Sequence, residues 1–189
     1  LGLPMEEVVE ITEEFGQKQL LIEEEQGEDL VVRFSQELLR IYAYERLSLA
    51  KKRMLHHQIA QGMEDQLGDS LQHAQLLNEI AYHYKMSKQP IKSLEYELHY
   101  LEATLQFHHE LFPIYSREFG FIEKTDDSNQ SAVLDQFDRI RREIEGLERK
   151  HQNHKDFQLL VLRFLYLEGR YAIRTGNYQQ GMDNIQQVI

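Results

Sequence analysis

The chain has 189 residues, of which 41% are hydrophobic and 28% are charged, and its formal net charge is -11 at pH 7. This composition provides enough apolar side chains for one compact domain or two small ones. Because the chain contains no cysteine, it cannot form disulfides, thiolate zinc sites, iron–sulfur clusters or a cysteine nucleophile.

The two ends of the sequence bear on the cellular location of the protein and on whether the chain is part of a longer one. The N-terminal stretch LGLPMEEVVE has neither a cationic region nor an apolar stretch for export, and no apolar run reaches the roughly 20 residues that span a bilayer. We therefore expect a cytoplasmic protein that does not contact a membrane. Since the sequence starts without Met and stops at Val188-Ile189 within a helical pattern, we also expect an internal, C-terminally truncated fragment.

The negative charge is concentrated at the N-terminal end, where residues 1–30 contain ten acidic side chains and one cation, Lys18. A surface of this sign repels phosphate groups, which argues against nucleic acid or anionic lipid as a partner of this segment. We expect a solvated acidic face, and we expect any partner of this segment to be a protein.

The first elements predicted along the chain are a helix and a β-hairpin. Apolar residues at helical spacing predict a helix over residues 4–15, with Pro4 in its first turn and Gly16 at its end. The runs LLIEEE (20–25) and LVVRF (30–34) flank a four-residue turn and predict a hairpin. The expected apolar face of the hairpin carries Leu20, Ile22, Val32 and Phe34. A helix followed by a hairpin indicates a small winged-helix-like α+β module.

Helices are predicted from Ser35 onward. Ser35 is expected to cap a helix that ends near Tyr44, and a longer helix follows from Leu47 to Leu67. Helical spacing predicts a buried side of the longer helix that is formed by Leu47, Ala50, Met54, Ile59 and Met63.

This longer helix carries three consecutive cations at residues 51–53 and the adjacent pair His56-His57. Side chains of adjacent helical residues point about 100° apart, so His56 and His57 cannot readily hold one metal ion. A metal site and a nucleic-acid contact are the alternatives here, but packing or simple surface exposure explains the stretch best. We expect His56 to be a helix-packing residue.

Two pairs of helical patterns follow. Residues 70–87 and 91–105 are separated by a short turn that ends at Pro90, so we predict an antiparallel helical hairpin. The same arrangement recurs where the pattern of residues 157–175 meets Gly176-Asn177, a helix stop and restart.

The small residues of these hairpins have a spacing that resembles the tetratricopeptide repeat, in which small residues at positions 8 and 20 allow two helices to cross closely. Positions 8, 11 and 20 correspond to Ala81, Tyr84 and Ser93 in the first hairpin and to Gly169, Ala172 and Gly181 in the last. Ala81 and Gly169 are 88 residues apart, which is not a multiple of the period of about 34 residues. The repeats between them are therefore expected to be irregular.

A wider resemblance is carried by the order of residues from the hairpin to the first repeat. The matching positions are Phe34, Tyr42, Leu47, Ser48, Arg53, Leu55, His56, Ile59, Ala60, Glu64, Ala81, His83 and Tyr84. Their order resembles the segment that follows the nucleotide-binding domain in STAND-type signal-transduction ATPases and large bacterial transcriptional activators. The resemblance implies a winged-helix relay joined to a partner-binding repeat array, with the ATPase and DNA-reading domains outside this fragment.

The resemblance also implies where a partner binds, because the inner groove of such arrays is lined by exposed positions on the first helix of each repeat. These positions correspond to Gln75, Asn78, Tyr82 and Lys85 in the first hairpin and to Arg163, Tyr166 and Arg170 in the last. Aromatic and Arg side chains are common binding anchors, and an Asn amide can hold an extended peptide backbone. We therefore expect these residues to bind a protein or peptide partner.

Catalytic motifs are missing from the sequence. None of G-x-x-x-x-G-K-[ST], G-x-G-x-x-G, H-E-x-x-H and G-x-S-x-G occurs. Glu148 and His151 have the spacing used by carboxylate-bridged di-iron bundles, and His154 follows one turn later, but the second pair that such a site needs is missing. We expect no catalytic residue, metal or cofactor in this chain, with ATP and Mg²⁺ only in a missing upstream domain.

Three hypotheses result. The leading one is a mainly α fold, with a winged-helix-like module (1–67) before TPR-like helical repeats (68–189), that acts as a non-enzymatic interaction and signal-relay region of a STAND-type transcriptional regulator. The second is a peptide-pheromone receptor built from similar repeats. The third is a helical-bundle metalloenzyme around Glu148, His151 and His154. We expect no direct nucleic-acid contact by the fragment, and a homodimer formed through the unfinished last repeat.

Overall fold

The computed structural model describes residues 4–27, 29–67, 74–105 and 127–189. Within these ranges the chain is mainly α-helical, with eight helices, several of them packed in pairs, and a two-stranded antiparallel hairpin after the first helix. The elements are α1 (Met5–Gln17), β1 (Leu21–Gln26), β2 (Asp29–Phe34), α2 (Glu37–Glu45), α3 (Leu49–Leu67), α4 (Ala74–Met86), α5 (Pro90–Leu105), α6 (Asp127–His151), α7 (Lys155–Arg174) and α8 (Tyr178–Gln186). The prediction of a mainly α chain with one early hairpin is thus confirmed.

The chain divides into two compact units, Leu1–Lys52 and Arg53–Ile189. The division falls within the first turn of α3, so most of that helix belongs to the second unit, whereas the sequence pattern predicts it as part of the first module. None of the helices in the described ranges is both long and apolar enough to cross a membrane.

Helix α1 continues through Gly16, which the sequence predicts as its end. The chain instead leaves the helix at Gln19, whose φ of 56° lies in the left-handed region. There the Leu20 N–H donates to the Phe15 carbonyl at 2.9 Å and closes the last helical turn. The backbone conformation at Gln19, rather than the glycine, ends the helix.

The hairpin has a register that overturns the predicted apolar face. Leu21 pairs with Phe34, and Ile22 pairs with Arg33. Because an even number of residues separates each cross-strand pair, an even-numbered residue always lies opposite an odd-numbered one. Ile22 therefore shares a face with Arg33, while Val32 and Phe34 lie on the other face with Leu21, so the expected grouping was wrong.

The predicted cap at Ser35 is also wrong, because its hydroxyl has another partner. Ser35 Oγ donates to the Gln19 carbonyl at 2.6 Å and ties the end of β2 to the turn after α1. Helix α2 begins after Gln36 without a side-chain cap. Ser48 does cap a helix, since the Lys51 N–H donates to its Oγ at 3.2 Å, and α3 therefore starts at Leu49.

The buried side of α3 differs from the predicted one. The helix buries His56, Ala60 and Leu67, whereas Met54 and Ile59 are exposed. Met63, one of the predicted residues, does pack against the apolar cluster that Ala60 and Leu67 form with residues of α4 and α5. Which side of α3 is buried depends on where those helices pack, and periodicity within α3 alone cannot reveal this. The expectation that His56 is a helix-packing residue is confirmed.

The two predicted helical hairpins are present and end their first helices in the same way. In the α4–α5 turn, Lys88 has a φ of 66° and the Gln89 N–H donates to the Tyr84 carbonyl at 3.0 Å. In the α7–α8 turn, Gly176 has a φ of 90° and the Asn177 N–H donates to the Ala172 carbonyl at 2.8 Å. Pro90 is the first residue of α5, as predicted.

The predicted close helix crossings are confirmed in both hairpins. Ser93 is buried and its hydroxyl donates to the Ala81 carbonyl at 3.0 Å. In the last hairpin, a Cβ added at Gly169 would lie 3.0 Å from the Gly181 carbonyl oxygen. Only small residues at these points let the two backbones approach this closely.

Two apolar clusters form the core of the second unit, and α5 contributes to both. The larger cluster joins α5, α6 and α7 through Leu94, Leu98, Leu101, Leu105, Phe137, Ile140, Ile144, Phe157, Leu160, Phe164 and Leu167. The smaller cluster joins α3, α4 and α5 through Ala60, Leu67, Leu77, Ile80, Ala81, Tyr84 and Tyr96. Each fully buried large apolar side chain stabilises the fold by roughly 1.5–3 kcal/mol, so these clusters hold the helices in fixed positions.

We expect Gly181→Ala to destabilise the last hairpin by about 1–3 kcal/mol, because overpacking forces neighbouring atoms apart. The new Cβ would lie 2.5 Å from Ile173 Cγ1 and 2.8 Å from the Gly169 carbonyl oxygen. Urea unfolding monitored by circular dichroism measures this change.

Gly146→Ala is the matched control for this substitution. Gly146 lies in α6, and a Cβ added there meets no other atom within 4 Å. It should raise the free energy of unfolding by about 0.5–1 kcal/mol through its better helix propensity. Equal effects of the two substitutions would contradict the close crossing at Gly181.

Candidate partner-binding surface

The four predicted residues of α4 lie along one side of that helix. Gln75, Asn78, Tyr82 and Lys85 follow one another at intervals of three or four residues, which places successive side chains next to each other. All four are exposed, while the buried side of α4 supplies part of the smaller apolar cluster. The amphipathic pattern of α4 therefore presents this polar and aromatic row to solvent.

Tyr82 is positioned by two histidines. Its ring meets the rings of His56 and His83 edge-on, with centroid separations of 5.8 and 5.3 Å. The Nδ1 atoms of the two histidines lie 2.8 Å apart, close enough for one ring to donate a hydrogen bond to the other. His56 is buried in α3, whereas Tyr82 keeps 54% of its surface exposed. A partly buried histidine pair thus fixes an exposed aromatic ring, the kind of rigid group that anchors protein partners.

The protein environment disfavours the protonated form of both histidines. Burial lowers the pKa of His56. Burial and, to a smaller extent, the neighbouring His56 ring lower the pKa of His83, although the Glu79 carboxylate opposes this. A neutral ring is required on the accepting side, because a protonated imidazole has no lone pair for the hydrogen bond.

Lys85 has partners inside the protein. Its Nζ lies 3.4 Å from Glu97 Oε1 on α5 and 2.5 Å from Glu143 Oε2 on α6. Partial burial works against the charge of Lys85, but its contacts with Glu143 and Glu97 raise its pKa overall. Lys85 therefore links three helices, a function that the spacing along α4 does not indicate.

Glu97 depends on this contact. It is buried, and its Oε2 atom has no hydrogen-bond partner in the described part of the chain. Burial and the nearby Glu143 carboxylate raise the pKa of Glu97, while Lys85 and Arg139 lower it. Without the Lys85 ammonium, two carboxylates would face each other at a partly dry interface.

The predicted residues of α7 form a second, separate group. Arg163 makes an ion pair with Glu102 of α5. The Arg170 guanidinium lies 5.5 Å from the centre of the Tyr166 ring, which remains exposed. Lys85 and Arg163 thus both pair with carboxylates of α5, and Lys85 pairs with a carboxylate of α6 as well.

Two cavities lie on the second unit, and neither is lined by a residue of α4. A cavity of about 570 Å³ between α5 and α7 includes Arg163, Lys92, Glu95 and Asp156 in its lining. A cavity of about 410 Å³ lies between α6, α7 and α8. The four residues of the α4 row are all exposed and form an open surface, as suits an extended protein or peptide partner.

The smaller cavity contains a polar network that the sequence pattern did not predict. Glu168 is buried and accepts hydrogen bonds from Arg141 of α6 and from Asn184 of α8, the latter at 2.8 Å. Arg141 also pairs with Asp138. The available signal was an acidic residue next to the small residue Gly169, within an otherwise apolar helix.

The residues of the metalloenzyme hypothesis do not form a metal site. Within the described ranges, no group of three or more His, Asp or Glu side chains is placed to hold a metal ion. The rings of His151 and His154 lie 6.5 Å apart and His154 Nδ1 lies 3.8 Å from Asp156. The arrangement around Glu148 thus gives this hypothesis no support.

Comparisons of the chain with protein-family models, with curated proteins and with solved structures gave no match.

We expect the free energy of unfolding to decrease as the pH falls below 6.5, the ordinary pKa of histidine. Because the folded-state pKa values of His56 and His83 are lowered, the unfolded chain binds protons first, so this contribution is present at higher pH and lost on acidification. Urea unfolding between about pH 8 and about pH 5 covers the range in which histidine titrates.

His83→Gln should reduce this pH dependence because it removes one member of the pair. His154→Gln is the control, since His154 is exposed at the turn between α6 and α7. Identical pH dependence of wild type and His83→Gln would show that the pair does not control stability.

We expect Lys85→Ala to lower the free energy of unfolding by about 1–2 kcal/mol, less than for a fully buried pair because Lys85 is half exposed. Adding Glu97→Gln should recover part of this loss, since it removes the carboxylate that Lys85 compensates. Lys150→Ala, at an exposed position of α6, is the control and should have little effect. An unchanged stability of Lys85→Ala would restrict Lys85 to the surface function predicted from sequence.

Proposed function

We propose that this chain is a non-enzymatic protein-interaction and signal-relay region of a bacterial transcriptional regulator of the STAND ATPase type. Its helical repeats bind a protein or peptide partner. ATP and Mg²⁺ act in a nucleotide-binding domain upstream, and this chain itself makes no contact with DNA.

One observation carries this proposal, the repetition of the same helical hairpin 88 residues apart. Both hairpins end their first helix with a left-handed residue, at Lys88 and Gly176. In both hairpins the two helices cross at a pair of small residues. These are Ala81 and Ser93 in the first hairpin and Gly169 and Gly181 in the last. A repeat of this kind builds an extended surface with no need for a catalytic pocket.

The first unit supports the relay part of the proposal. The order of α1, the β1–β2 hairpin and α2 agrees with a winged-helix-like module. Its acidic charge disfavours DNA and favours contact with protein. A module of this type passes a change in its partner on to the helical array through α3.

The binding surface is proposed to centre on Asn78 and Tyr82 of α4, with Gln75 beside them. The side-chain amide of Asn78 has two N–H donors and one carbonyl acceptor, which can pair with the C=O and N–H groups of an extended peptide backbone. Tyr82 is held rigid by the histidine pair and loses little conformational freedom on binding. Tyr166 and Arg170 form a second exposed aromatic–cationic group on α7, and Lys85 and Arg163 support the helices that carry these residues.

The proposal is tested by selecting random displayed peptides on the purified chain and measuring the affinities of those enriched. Asn78→Ala/Tyr82→Ala should weaken their binding by about tenfold or more, as expected for loss of a rigid anchor. Tyr178→Ala is the matched control, because Tyr178 is a similarly exposed tyrosine on the second helix of the last hairpin.

Equal loss in the control, or enrichment of peptides that bind elsewhere, would contradict the proposed surface. The natural reading frame upstream of Leu1 separates the two regulator types. A P-loop within about two domain lengths agrees with the ATPase regulator. A helix-turn-helix directly before Leu1 with no P-loop would favour the peptide-pheromone receptor.

A further inference from the structure

The described residues of the first unit do not form a buried core. Among the residues of 4–52 whose exposure is described, none is buried. Large apolar side chains are instead exposed on every element of the unit, namely Val8, Val9, Ile11, Phe15, Ile22, Val32, Phe34, Leu38, Ile41, Tyr42 and Leu49. A unit of about 50 residues is only marginally stable even with a complete core, so this unit gains from burying its apolar surface against another body.

Helix α2 presents the most exposed apolar row of the unit. Leu38, Ile41 and Tyr42 have the i, i+3, i+4 spacing that places them on one side of a helix. Leu38 is 75% exposed. A helix of this kind docks its apolar row into a complementary groove.

Acidic side chains flank the apolar positions of α1. Val9 is 48% exposed and has Glu6 three residues before it and Glu13 four residues after it, on the same side of the helix. Glu14 is paired with Lys18, but Glu6 and Glu13 take part in no ion pair within the described residues. The exposed apolar surface of α1 therefore carries carboxylates that are available to a partner.

We propose that the first unit docks on a separate protein whose contact surface has an apolar centre surrounded by Lys and Arg. Charge selects this occupant. The first unit, residues 1–52, has twelve acidic and six basic residues, a formal charge of -6, and the remainder of the chain has a formal charge of -5. A second copy of the chain carries the wrong sign, and nucleic acid or anionic lipid offers phosphate instead of a cation.

This interaction differs from the one proposed for α4, because it uses another unit and a partner defined by positive charge. It also stabilises the first unit, since a partner that binds only the folded state shifts the folding equilibrium toward that state, and the shift grows with the ratio of free partner concentration to Kd. The unit thus has the properties of a module whose order depends on its partner.

The test uses the whole chain and synthetic helical peptides of about 18 residues. The probe has Leu on one side, Lys on the other and one Trp in the apolar row. Since the chain contains no tryptophan, the Trp emission reports burial of the peptide directly. Two control peptides are used, one with Glu in place of Lys and one with the same composition in shuffled order.

The Lys–Leu peptide should bind with a blue shift of the Trp emission, about tenfold more tightly than either control peptide, and its binding should weaken as salt is added. Val9→Gln/Leu38→Gln and Glu6→Gln/Glu13→Gln should each weaken it by about fivefold or more. Leu159→Gln and Glu145→Gln/Glu148→Gln are the matched controls in the second unit, at exposed positions, and should bind as wild type does.

Several results would overturn the proposal. These are equal binding of the Glu–Leu peptide, equal losses in the second-unit controls, and no binding of the Lys–Leu peptide. Sedimentation that reveals self-association abolished by Val9→Gln/Leu38→Gln would identify a second copy as the occupant. Amide exchange in α1 and α2 as slow as in α5 in the free chain would show that these helices are already covered.

Discussion

Helix α5 is buried on two sides, and the arrangement of the second unit depends on this constraint. Leu94, Leu98 and Leu101 face the cluster shared with α6 and α7. Tyr96 faces the cluster shared with α3 and α4, and Ser93 donates its hydroxyl to the first helix of its own hairpin. A helix that is apolar on two sides cannot remain at a surface. Helices α4, α6 and α7 are therefore placed by the need to cover it.

Polar contacts between the helices then select one packing among those that apolar burial permits. The rings of Tyr84 and Tyr96 stack with their centroids 5.8 Å apart. Partial burial of Glu64 works to raise the pKa of its carboxyl, but hydrogen bonds from the two tyrosine hydroxyls contribute to a pKa that is lowered overall. The ion pair between Lys85 and Glu97 also joins α4 to α5 and favours the observed packing of these two helices. A buried polar group left without its partner is costly, so a shifted packing of the helices is penalised at each of these positions.

The sequence predicts the parts of the fold that depend on local backbone chemistry. Pro90 and Gly176 mark the turns, and Gly169 and Gly181 mark a crossing at which a side chain has no room. The predicted apolar face of the hairpin was wrong because it depends on which residues lie opposite each other across the two strands. This register is set by the turn. The predicted buried side of α3 was largely wrong because it depends on where the neighbouring helices pack against α3.

The candidate surface could be predicted only in part for a similar reason. The row on α4 follows from helical spacing, and Gln75, Asn78 and Tyr82 are exposed as expected. Glu143, one of the two partners of Lys85, lies 58 residues away along the chain, and Glu102, the partner of Arg163, lies 61 residues away. No local pattern contains such pairings, since they arise only once α6 and α7 are packed against α5.

The two helical hairpins close through the same left-handed turn but with different residues, Lys88 and Gly176, and this makes them unequal as folding units. The left-handed conformation raises the free energy of a residue with a Cβ by about 1 kcal/mol, whereas glycine adopts it freely. The α7–α8 turn is thus favourable by itself, and the α4–α5 turn is held by the packing around it. Local chain energetics therefore favour the α7–α8 hairpin more than the α4–α5 hairpin, whose turn depends on the contacts of the neighbouring helices.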